Sequence, residues 1–68
     1  MRHVSGKRMC KALERAGWLL KKINGSHHIY ERPGVPLNVS VPVHGNHDLP
    51  TGLQRGIMRD AGLTEADL

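Results

Sequence analysis

Leu37, Val39, Val41 and Val43 alternate with Asn38, Ser40 and Pro42. A period of two gathers these apolar side chains on one face only if the backbone is an extended strand. Pro42 has no N–H for a ladder, so the strand is an edge strand or ends there. Two shorter stretches precede it. Trp18 to Ile23 is a largely apolar run with strand character, and Ser26 to Arg32 reads as its return. The pair Asn24-Gly25 between them fits a tight hairpin turn that needs positive φ. Pro33-Gly34-Val35-Pro36 forms a second turn before the alternating strand.

Helical spacing brackets this region. Met9, Cys10, Ala12, Leu13 and Ala16 fall on one face of a helix from Ser5 to Gly17, with Lys7, Arg8, Lys11 and Arg15 opposite. Ser5 is placed to cap its N-terminus and Gly17 to end it. Leu53, Ile57, Met58 and Ala61 give a second amphipathic helix ending at Gly62. Thr51-Gly52-Leu53-Gln54 has the form of a capping box for it. Thr64 to Asp67 begins a further helical turn. The predicted fold class is α+β: one domain over residues 1–68, ordered α-β-β-β-α. A three-stranded antiparallel sheet carries two helices on one face, an order shared with the double-stranded-RNA-binding fold.

Length and charge narrow the function. A chain of 68 residues buries only about 60% of its unfolded surface. Its site must therefore be a surface or a shallow groove. Ten Lys and Arg face six Asp and Glu, a net charge of +4, which favours a polyanion or an acidic protein as partner. Cys10 is the only cysteine, so no internal disulfide is available. Its place on the apolar helix face makes it a core residue. No stretch approaches the ~20 apolar residues of a membrane span, and the first residues lack the apolar run of a signal peptide. A cytoplasmic protein is expected. Trp18 and Tyr30 are the only aromatics. Trp18 is expected in the core, with stacking on a base as the alternative.

Histidine dominates the remaining polar residues. His27 and His28 open the second strand, and His44 closes the third. Antiparallel pairing brings the three to one end of the sheet. An imidazole titrates near neutral pH, so it can take the proton of an RNA 2′-hydroxyl or give one to the departing 5′-oxygen. Lys21, Lys22 and Arg32 flank the site in sequence, and Lys7, Lys11 and Arg15 form a stripe on the first helix. All six are candidates to hold phosphates. If Tyr30 faces the core, alternation turns His28 inward and leaves His27 outward on the face of His44. If Ile29 faces the core, the assignments reverse. Tyr30 inward is favoured because its ring buries more area. His44-Gly45-Asn46-His47-Asp48 offers two imidazoles and a carboxylate, but without a Cys pair or helical spacing no metal site is expected.

Ser5-Gly6-Lys7, Leu13, Gly17-Trp18, Gly25-Ser26-His27, Val41-Pro42-Val43-His44, Gly52-Leu53 and Ile57 through Leu63 occur in this order. The combination resembles the HicA toxin family and spans nearly the whole chain. The resemblance implies a fold like the double-stranded-RNA-binding domain and an mRNA interferase activity without cofactor or metal. It also implies a HicB-type antitoxin as partner and single-stranded RNA or mRNA as substrate. The toxin is expected to be a monomer alone and a hetero-oligomer with its antitoxin. The histidine directly after Gly-Ser maps onto His27 as the catalytic residue. His28, His44 and Ser26 are candidate helpers. Where the family often has Gly-Thr-Leu, this chain has Thr51-Gly52-Leu53, which can shift the helix cap by one residue. The alternatives are a non-catalytic RNA-binding module of the same fold and a degenerate toxin that only pairs with its antitoxin.

Overall fold

In the computed structural model, which describes residues 1–68, the elements follow the expected order. They are α1 (Gly6–Arg15), β1 (Leu19–Asn24), β2 (His27–Arg32), β3 (Val35–Pro42), α2 (Thr51–Ala61) and a closing 3₁₀ turn (Glu65–Asp67). The sheet is antiparallel in the order β1-β2-β3, so β3 is an edge strand and also ends at its proline.

The helices lie over the sheet face that carries Tyr30, Val39 and Val41. These three join Met9, Leu13, Trp18, Ile57, Met58 and others in one core cluster of 15 buried residues. Ser5 caps α1, its hydroxyl accepting the Arg8 N–H at 3.2 Å. Gly17 follows the last turn at φ +94 and Gly62 ends α2 at φ +71. L-residues with a side chain rarely adopt that region. Gly6 serves a different purpose. A methyl group on it would overlap the carbonyl oxygen of Pro42 and lie 3.3 Å from the Val43 Cα. The first turn of α1 therefore rests directly on the end of β3.

Several sequence expectations need correction. The hairpin loop is Gly25-Ser26 rather than Asn24-Gly25, and only Gly25 has positive φ, at +62. Glycine alone at the first loop position is the pattern of a type II′ turn. The second turn is the pair Pro33-Gly34, so β3 starts at Val35, two residues early. Leu37 and Leu53 remain 40% exposed and stay outside the core cluster. Thr51 does not cap α2. Pro50 takes the cap position without a side-chain bond, and Gln54 turns inward instead. There its Oε1 accepts the Val4 N–H at 3.2 Å and its Nε2 donates to the Arg2 carbonyl. The capping box forms one element later, where the Thr64 N–H donates to the Asp67 carboxylate at 2.6 Å.

Candidate functional site

Register fixes where the histidines stand. His27 pairs with Pro42 and His28 with Val41. The Val43 N–H donates to the Ser26 carbonyl at 2.8 Å, which sets His44 level with the hairpin turn. His27, His28, His44 and Ser26 thus gather at one end of the sheet. Gly6 brings the first turn of α1 to the same end.

Tyr30 is 1% exposed and decides the faces. Alternation along β2 turns His28 toward the helices and His27 away from them. His27 is exposed on the outer face. Asn24 is its cross-strand partner, and Lys22, paired with Ile29, is the nearest cation in the register on that face. His28 is half-buried and lines a shallow groove between α1 and β1 with Lys7, Cys10, Lys11, Tyr30 and Val43. Glu14 and Leu20 complete that groove.

Hydrogen bonding organises the groove floor. The Tyr30 hydroxyl donates to the Glu14 carboxylate at 2.6 Å. Burial, and then that bond, hold the phenol well above the usual tyrosine range. Burial likewise pushes the Cys10 thiol up, which keeps it protonated and unreactive at neutral pH. Glu14 escaped the sequence reading. The signal available was its position four residues after Cys10, on the flank of α1 that meets the sheet.

The cations divide into two groups. Lys7, Lys11, Arg15 and Arg8 line one concavity with Ser5 along α1, and Lys7 and Lys11 also border the His28 groove. Lys21 and Arg32 share a groove with Leu19, Glu31 and Pro36. Arg32 ends β2 while His27 begins it, a separation of about 17 Å at the rise of an extended strand. Sequence proximity had placed Arg32 beside the histidines, but the strand carries it away. The ion pairs present are Met1 with Glu65 and Arg59 with Asp60. No side-chain carboxylate lies within ion-pair distance of a cation of α1 or β1. Arg8 and Arg15 donate to the main-chain oxygens of Leu68, at 3.5 Å, and Asp67, at 3.0 Å, so Lys7 and Lys11 are the cations of the stripe left open to an anion.

Trp18 is 2% exposed and its indole N–H donates to the Ala61 carbonyl at 3.4 Å. It therefore packs the core and presents no face for a base. His44 and His47 gather no third ligand, and no three His, Cys, Asp or Glu side chains form a metal-holding group. No helix is long and apolar enough to cross a membrane.

The family model described as HicA toxin of bacterial toxin–antitoxin matches residues 6–63 of this chain. This chain belongs to the HicA toxin family. The match runs from the glycine that seats α1 on β3 to the leucine after the αL stop of α2. It therefore takes in every element that positions the histidines. No curated protein matches the sequence. As a HicA-family chain it is the toxin side of a toxin–antitoxin pair, and an antitoxin is its implied partner.

Proposed function

We propose that this HicA-family chain is an endoribonuclease, an mRNA interferase that cleaves single-stranded RNA by histidine acid–base chemistry without a metal. The observation that carries this reading is the sheet end where His28 shares a groove with the unneutralised Lys7 and Lys11 of α1 and His27 stands next to it on the outer face. The substrate supplies the nucleophile. Its 2′-oxygen bonds to phosphorus while an imidazole accepts the 2′-proton, the P–O5′ bond breaks, and the 5′-oxygen is protonated as it leaves. The products are a 2′,3′-cyclic phosphate and a 5′-hydroxyl. Lys7, Lys11 and Arg15 hold the phosphates and offset charge in the transition state.

His27 is the residue that the family pattern selects for proton transfer, with Ser26, His28 and His44 as helpers at the same sheet end. A second reading gives the principal role to His28, because His28 rather than His27 shares a groove with Lys7 and Lys11. The role of Lys21 and Arg32 is then limited to RNA lying along the groove they share, away from the histidines' end, and Lys22 serves the His27 face. The cell compartment is the bacterial or archaeal cytoplasm, and a HicB-type antitoxin forms the resting hetero-oligomer.

The test is labelled RNA incubated in EDTA with wild type, His27→Ala and His28→Ala. Removal of a general acid or base lowers the rate by about 10²–10⁴. Loss confined to His27→Ala supports the first assignment, and loss confined to His28→Ala the second. RNA binding without cleavage in all three identifies a non-catalytic module of this fold.

A further inference from the structure

The two edges of the sheet differ in kind. The β3 edge carries Pro36 and Pro42, which lack the N–H needed to add another strand. The β1 edge carries no proline, and all six of its residues, Leu19 to Asn24, are exposed. Leu19 and Ile23 are each 56% exposed and Leu20 46%. Leu20 pairs with the inward Tyr30, and Ile23 with the inward His28, yet the buried sheet residues come from β2 and β3 alone. β1 overhangs the helical layer, leaving apolar side chains uncovered on both of its faces.

The backbone of this edge is open as well. Asn24 and His27 flank the two-residue turn and form its hydrogen-bonded pair. At the next pair, Ile23 with His28, the N–H and C=O of Ile23 therefore point outward. Lys21 and Lys22 lie at mid-strand, with the register shift between Leu20 and Lys22.

We propose that the free edge of β1 accepts an extended acidic segment of a partner protein as a fourth strand. Charge selects this occupant over a second copy of the chain. Antiparallel pairing of two β1 edges about their centres would set lysines opposite lysines, and like charges directly opposite are destabilising. A strand with carboxylates at its centre and β-branched residues beside them meets the opposite condition. Its backbone satisfies Ile23, its carboxylates face Lys21 and Lys22, and its apolar side chains cover Leu19, Leu20 and Ile23. On the helix side it borders the groove that holds Lys7 and Lys11, which further favours an acidic strand. The proposal is independent of RNA cleavage and stands whether or not the chain is an enzyme.

The experiment uses the full ¹⁵N-labelled chain and two capped eight-residue peptides of alternating Thr and Val. One has a central Glu-Glu pair and the other Lys-Lys. The acidic peptide is expected to shift the β1 amides and slow exchange at the Ile23 amide. The Lys-centred peptide should bind roughly tenfold or more weakly. The double variant K21E/K22E should reverse that preference. Its folding is checked by unchanged shifts in α2, and Lys21→Gln with Lys22→Gln serves if it fails to fold. Three results overturn the proposal: acidic-peptide shifts confined to the α1 stripe, concentration-dependent protection of Ile23 without peptide, or Ile23 protection by an oligouridylate but by neither peptide.

Discussion

The Gln54 amide, 0% exposed, fastens α2 to the chain ahead of α1 by accepting the Val4 N–H at 3.2 Å. The same side chain donates to the Arg2 carbonyl. One residue thus satisfies two backbone groups about fifty positions away in sequence. Gln54→Leu keeps similar bulk but leaves the buried Val4 N–H without its partner. The expected loss is about 1–3 kcal/mol, or roughly 4–8 °C in Tm per kcal/mol for a domain of this size. Thermal melts check it, and amide exchange should show the loss first at Val4.

Gly6 and Gly56 predict opposite signs for the same substitution. Alanine inside a helix normally gains up to about 1 kcal/mol over glycine. At Gly56 an added methyl meets only the Arg59 guanidinium, at 3.9 Å, so Gly56→Ala should raise Tm. At Gly6 the methyl overlaps the Pro42 carbonyl and α1 must lift from β3, so Gly6→Ala should lower it. Parallel melts of the two variants decide the point.

Stability should fall on the alkaline side. Burial, joined at Tyr30 by the Glu14 bond, raises the folded-state pKa of both Cys10 and Tyr30. A raised pKa favours the protonated form in the native state. The contribution is therefore complete below the ordinary values of 9.0 for the thiol and 10.0 for the phenol, and is lost as pH rises beyond them. Tyr30→Phe should cost about 1.5 kcal/mol near neutrality, since a bond to a carboxylate is lost. It should also flatten the decline above pH ~10. Denaturant titrations across that range measure both effects.

The split of the cations predicts where RNA affinity resides. Each phosphate contact on a single strand contributes a slope of about −0.7 in log K against log salt. Lys7→Ala with Lys11→Ala should flatten the slope by about 1.4 and weaken binding across sequences. Lys21→Ala with Arg32→Ala, in a groove that holds no histidine, should leave cleavage of a short oligonucleotide within about twofold of wild type. Filter binding at several salt concentrations, with cleavage assays alongside, separates the two pairs.

The element order, the strand alternation and the glycine stops at Gly17 and Gly62 were set by local chemistry. Period, propensity and left-handed φ are decided within a few residues, and these features were legible in the sequence. So was the gathering of His27, His28 and His44 at one sheet end, because antiparallel pairing requires it. What Gln54 and Gly6 do was not legible. One partner is a backbone group beyond the other helix and the other is a carbonyl across the sheet, and no spacing rule reaches either. Thr51 shows the same limit, since its capping pattern was present but a buried amide bond claimed Gln54. The division of labour among the cations also belongs to the fold. Strand rise carries Arg32 away from the histidines, while packing of α1 brings Lys7 and Lys11 beside His28. The sequence thus determined the elements and which end of the sheet holds the histidines. Only the tertiary structure decided which histidine meets the lysines and which strand edge stays open, because both depend on how far the helical layer extends over the sheet.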